Sequence, residues 1–227
     1  MCLMILLTVP VSASARDAVE DTLAREINRS LDAIGQQRDL PERDRAYLRF
    51  LDAVYQHDPP ARQEAEDLYR QLSLPESQAF LGSLAILKAR DLSERSLLSG
   101  IWHVFTEHRL VSDGITQLDA ATSAHPDNVD IRVVRAVTYL QLPSIFRKFD
   151  TGLGDIQLVL KWIEENKVSV PKEDRLFRDQ TSLYYYAGRY LSAAGEPEQA
   201  RTMFIRSSQS SSASPFAQAA RQRLGGS

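Results

Sequence analysis

The 227-residue chain is 43% hydrophobic and 25% charged, which is enough apolar material for one or two packed domains and excludes a disordered chain or a disulfide-stapled miniprotein. Its 27 basic and 30 acidic residues give a formal charge of −3 and are spread along the chain, so the concentrated positive field of a nucleic-acid-binding module is absent. The one cysteine, Cys2, permits neither an intramolecular disulfide nor a CxxC metal site.

The first segment in chain order is uncharged and almost wholly apolar from Leu3 to Val11, followed by Ser12-Ala13-Ser14-Ala15 and then the first charge at Arg16. An apolar stretch of about nine residues ahead of Ala13-x-Ala15 fits a signal peptide over residues 1–15, and is too short to span a bilayer core of ~30 Å. No Lys or Arg precedes the apolar run, and Cys2 has no lipobox upstream of it, which argues against a lipid anchor. The expectation is export, to the periplasm of a bacterial-type envelope, with cleavage near Ala15–Arg16; a cytoplasmic chain with a buried apolar N-terminus is the alternative. No later segment approaches the ~18 uninterrupted apolar residues of a membrane span.

From Arg16 onward the apolar residues recur at three- and four-residue spacing. Val19, Leu23, Ile27, Leu31 and Ile34 predict a first helix over about 17–35, with Gly35 as its C-cap. Pro41, with Glu42 and Asp44, opens a second helix striped by Tyr47, Leu48, Leu51, Val54 and Tyr55. Asp58-Pro59-Pro60 starts a third, carrying Ala61, Ala65, Leu68, Tyr69 and Leu72, and a fourth with Phe80, Leu84 and Leu87 begins after Leu74-Pro75. Val168-Ser169-Val170 is too short to seed a sheet alone, so the chain reads as all-α.

The C-terminal third carries a repeat-like pattern. Tyr184-x-x-Ala187-Gly188-x-x-Leu191, then Gly195, then Ala200-x-x-x-Phe204 resembles the tetratricopeptide (TPR) consensus, in which small residues let the second helix of a hairpin approach the first. A poorer copy has Gly114, Leu118, Ala121 and Pro126, and a fragment has Gly154 and Leu158. Gly114, Gly154 and Ala200 are spaced by 40 and 46 residues, where a strict TPR array has about 34, so the array is degenerate. Interruptions fall at 142–152 and 166–174. The resemblance implies stacked antiparallel helix hairpins, a TPR-like α-solenoid over 76–224, with N-terminal hairpins over 16–75 packed on it. Residues 207–214 read as a helix end or a turn, and Phe216–Leu224 as an amphipathic helix solvating the end of the array.

Candidate chemistry is sparse. His103 and His108 lie five apart and point about 140° away from each other, which does not match the zincin H-E-x-x-H pattern, although His103 and Glu107 share a face. No G-x-S-x-G elbow is present, Gly152-x-Gly154 lacks the rest of a phosphate loop, and Glu164-Glu165 or Glu64 and Asp67 read as solvated helix faces. No cofactor and no catalytic residue is expected.

The resemblance places the partner-binding groove on the first helix of each hairpin: Ser182, Tyr185, Arg189 and Ser192 in the last repeat. Tyr supplies flat contact area and Arg a bidentate fork for a partner's carboxylate. Tyr184, Tyr185 and Tyr186 point in three directions, so at least one belongs to the core. Over 128–142, Arg132, Arg135 and Tyr139 share a face that the repeat register would bury. Either they form a ligand-facing basic patch, or the arginines are buried and paired with Asp119, Asp150 or Asp155. The expected function is a non-enzymatic protein-interaction scaffold in the cell envelope, with a protein or peptide as partner. The alternatives are a self-associating structural component and an enzyme using a pocket where the irregular segment 143–175 meets the last repeat.

Overall fold

The structure, a computed structural model, describes residues 18–36, 39–95, 102–211 and 213–225. The expected signal peptide, 1–15, lies outside the described residues. The described chain is all-helical: α1 (Ala18–Gly35), α2 (Glu42–Tyr55), α3 (Pro59–Gln71), α4 (Ser77–Arg95), α5 (Trp102–Ala124), α6 (Val129–Leu140), a 3-10 turn (Ser144–Phe146), α7 (Phe149–Glu164), α8 (Gln180–Ala193), α9 (Pro197–Ser210) and α10 (Pro215–Gly225).

Local sequence fixes where these helices begin. Pro59 and Pro197 occupy first-turn positions, where the missing N–H costs nothing. Asn128 and Asp179 cap α6 and α8, accepting from the Ile131 and Ser182 amides at 3.1 and 2.9 Å. The turn between α8 and α9 needs a left-handed residue, and Gly195 supplies it with φ +80°.

Among the described residues, consecutive helices pack as antiparallel neighbours, and α2, α4, α6, α8 and α10 also each contact the next of their own set. The outer set, α3, α5, α7 and α9, bridges these. The helix α1 packs on both α2 and α10, so the two ends of the row meet. This differs from the expected solvating end helix. In α10, Phe216, Ala217, Ala219 and Ala220 are all buried, because α1 covers the face that would otherwise meet water.

One apolar cluster runs continuously from Leu23 in α1 to Ala220 in α10. The helices α4 and α5 approach closely, and a Cβ on Gly82 would stand 2.7 Å from the Gly114 carbonyl oxygen. Gly188 faces Phe204 across the α8–α9 pair at similar range, in the hairpin whose small residues were expected to let its two helices approach. The helix α7 corrects the expectation at two points. It starts at Phe149, so Gly152 lies inside it rather than in an insertion. Gly152 is also the crowded position, against Tyr190 and Tyr139, whereas Gly154 is exposed with open space beside it.

Candidate functional site

The inner helices α2, α4, α6 and α8 leave a cavity of about 920 Å³ between them. Its walls are mainly apolar. Phe50, Val54 and Tyr47 come from α2, Phe80, Ile86 and Leu87 from α4, Val133, Val134 and Val137 from α6, and Leu183 and Tyr186 from α8. Lining residues on α6 run from Val129 to Leu140, about 16 Å of helix axis at 1.5 Å per residue. One wall is an aromatic cluster in which Tyr69 stacks on Phe80 at 4.5 Å and Phe50 meets Phe80 edge-on at 5.0 Å.

The N-terminal ends of the inner helices meet at one end of this cavity, and their charges pair with one another. Arg43 reaches Glu76 at 2.6 Å and Asp130 at 2.8 Å. Burial raises the Asp130 carboxyl, partly offset by Arg43. Arg178 pairs with Asp44 at 2.9 Å while its guanidinium lies 5.2 Å from the Tyr47 ring centre. Four non-glycine residues hold positive φ among the described residues, His57, Arg147, Asn166 and Phe177, and of these Phe177, at 62°, lines the cavity.

The opposite end has a different character. Arg90 donates to the Ala53 and Val54 carbonyls at the end of α2, at 2.9 and 3.4 Å, and pairs with Asp91. Glu107 borders the cavity with its Oε1 buried and unpartnered. His108 lies against Phe146, ring centres 5.8 Å apart. Two large apolar side chains stand exposed beside them: Ile145 in the 3-10 turn, 62%, and Phe105 one turn before His108, 68%.

Inside, the Ser83 and Thr138 hydroxyls bond each other at 2.8 Å, and the Tyr55 and Tyr186 hydroxyls also bond each other. Burial pushes the Tyr186 phenol up to about 12 and those of Tyr47 and Tyr55 further. The cavity thus offers an apolar channel with few free polar atoms, suited to holding an apolar body by burial.

The residues expected to face a groove are placed otherwise. Tyr185 has no exposed surface and packs among Tyr186, Phe204 and Phe216, its hydroxyl donating to Glu20 at 2.6 Å. Arg189 is partly exposed and pairs with Glu20 at 3.2 Å. Ser192 is exposed and outside the cavity lining. Ser182 does border the cavity, but is buried, its hydroxyl donating to the Phe177 and Asp179 carbonyls. The reason is that α1 and α10 cover the face carrying Tyr185 and Arg189, so α8 turns Ser182, Leu183 and Tyr186 inward instead.

A similar rotation applies to α6. Arg132 and Arg135 both reach Asp155, at 2.6 and 2.7 Å, and Arg132 also lies 5.3 Å from the Trp162 ring centre. Arg135 pairs with Asp119 at 2.9 Å, and Tyr139 and Lys148 each donate to Asp119 at 2.8 Å. None of the three predicted residues lines the cavity, and the paired alternative is the one observed, with Asp150 exposed and uninvolved. Burial alone would raise the Asp119 carboxyl, but the Lys148 and Tyr139 hydrogen bonds hold it below its usual range.

The cavity-lining valines were not singled out from sequence, although a signal for them existed. Val129, Ile131, Val133, Val134, Ala136, Val137 and Leu140 make α6 apolar around most of its circumference, more than one packed face requires. The side chain of His103 lies outside the described residues, so its relation to Glu107 has no structural account.

No protein-family model, curated protein or solved structure matches this chain.

Proposed function

We propose that the protein is a non-enzymatic binding protein built on TPR-like helical repeats, and that it holds the apolar part of its ligand in the central cavity. One observation carries this reading: four inner helices surround about 920 Å³ with a predominantly apolar lining. Ligand sites are typically apolar hollows of about 300–1,000 Å³ with a few placed polar groups. The repeat assignment is supported by the order of antiparallel neighbours and by Gly188 seated on Phe204. The non-enzymatic assignment is supported by the charges at the polar end, which are spent on each other, and by the hydroxyl pairs Ser83–Thr138 and Tyr55–Tyr186. The irregular segment does border the cavity, where the enzyme alternative would put its site.

The test is binding of a neutral apolar fluorophore such as N-phenyl-1-naphthylamine to the wild type and to Val133→Trp and Val137→Trp, whose indoles would project into the channel and obstruct it. Saturable emission enhancement in the wild type, lost in both variants while helical content is retained, is expected. Absence of enhancement in the wild type, or its survival in both variants, overturns the proposal.

A second reading, the protein-interaction scaffold expected from sequence, is favoured by exposed Phe105 and Ile145 beside the Glu107 end. Apolar side chains of that size in water mark contact surfaces when they adjoin one another. In this reading Phe105→Ser/Ile145→Ser abolishes retention of the polypeptides captured by the wild type from envelope extracts. Self-association through the same residues would instead appear as a concentration-dependent mass in light scattering that the double variant loses. Export to the envelope remains a proposal from the N-terminal pattern, tested by mass spectrometry of the mature N-terminus; a soluble cytoplasmic pool retaining residues 1–15 overturns it.

A further inference from the structure

Among the described residues, two buried carboxylate oxygens bordering the cavity have no hydrogen-bond partner: Glu76 Oε1, which Arg43 reaches in an ion pair at 2.6 Å, and Glu107 Oε1, which is without an ion pair. A buried carboxylate oxygen without a donor is costly, and ordered water, an ion or a ligand donor removes that cost. The neighbouring cation does not do so. Arg90, which lines the same end, is committed to the Ala53 and Val54 carbonyls and to Asp91. The adjacent His108 lies against the Phe146 ring.

Between Glu107 and the ion-paired end at Arg43, Glu76, Asp130 and Arg178, the channel wall is mainly apolar, along Val54, Ile86, Val111, Val133 and Val137. A ligand complementary to both features has a donor-bearing head and an extended hydrocarbon body. Because the acceptor is a carboxylate, a positively charged head neutralises it and a negatively charged one is repelled.

Resting on the reading of the cavity as a binding site, we infer that its occupant is a long-chain amine, with the ammonium against Glu107 and the alkyl chain along α6. The ammonium supplies the donor that Glu107 Oε1 lacks and pairs with its carboxylate. The chain gains by leaving water for a wall of valines, and each buried methylene adds to affinity.

The test compares 1-dodecylamine, 1-dodecanol and dodecanoate, each below its micelle-forming concentration, by isothermal titration of the full chain and of Glu107→Gln. Expected are wild-type binding of the amine about tenfold or more tighter than dodecanoate, and a loss of about tenfold in amine binding in the variant. Dodecanol affinity should stay within about threefold, since a neutral hydroxyl bonds a carboxamide as well as a carboxylate. Equal wild-type affinity for amine and carboxylate overturns the inference without any variant, as does unchanged amine affinity in Glu107→Gln. If all three bind alike and Val137→Trp abolishes them, the cavity reading stands while the amine assignment fails. If none of the three binds the wild type, the cavity reading fails, and the amine assignment with it.

Discussion

The Tyr185 hydroxyl donates to Glu20 at 2.6 Å, joining residues 165 apart in the chain. Arg223 completes the cluster, donating to the Tyr185 oxygen at 3.2 Å and pairing with Glu20 at 2.8 Å. One carboxylate on α1 thereby ties α1 to both α8 and α10, where the two ends of the helix row meet. Tyr185→Phe should cost about 1 kcal/mol, the net worth of one hydrogen bond, while Tyr185→Ala should cost about 3–5 kcal/mol by emptying a fully buried ring site. Urea unfolding midpoints measure both, and an unchanged midpoint for Tyr185→Ala would show that the ring is not core.

The ion cluster on α6 should respond in a graded way. Asp155 is 2% exposed between two guanidiniums, so Asp155→Ala leaves buried positive charge unpaired and should cost about 3–5 kcal/mol. Asp119 is 38% exposed, and solvent screens its pairs, so Asp119→Ala should cost much less. Chemical denaturation of the two variants side by side gives the ranking, and the reverse order would contradict the assignment of Asp155 as the hub.

Two glycines predict opposite signs. An alanine Cβ at Gly188 would lie 2.6 Å from the Phe204 ring, so Gly188→Ala should cost about 1–3 kcal/mol, with Phe204→Leu restoring part of it in the double variant. Gly154 has open space beside it inside α7, so Gly154→Ala should stabilise by about 0.5–1 kcal/mol through helix propensity. Calorimetric melting temperatures separate the two directions.

Acid should selectively weaken the junction between α2 and the segment before α8. Burial of Asp44 opposes its ionisation, but hydrogen bonds from Arg175 and Arg178, at 3.1 and 2.9 Å, prevail and hold its carboxyl below the usual range. A depressed folded value means that the contribution is complete above the unfolded value near ~4 and is lost as pH falls through the folded one. The melting-temperature difference between wild type and Asp44→Asn should therefore be full at about pH 6 and shrink toward about pH 2. A difference independent of pH would assign the loss to packing.

Much of the secondary structure was legible because its causes are local. The starts of α2 and α3 follow from Pro41 and from Asp58-Pro59, and the turn at Gly195 from the need for a left-handed residue. The close approach within the α8–α9 hairpin was legible too, since small residues let adjacent helices come together whatever surrounds them, and Gly188 meets Phe204 there. By contrast, the groove-facing expectation for Tyr185, Arg132, Arg135 and Tyr139 depended on which side of each helix another element would cover.

By itself, then, the sequence determined an all-helical chain, the approximate limits of its helices and the pairing within its clearest hairpin, all set by interactions over a few residues. The tertiary structure decided which faces turn inward, because that depends on α1 docking against α10 and on Asp155 reaching back to two arginines from a different helix. It also decided that the apolar excess of α6 borders a cavity, since periodicity counts apolar faces and cannot tell one packed against a neighbour from one left facing open space.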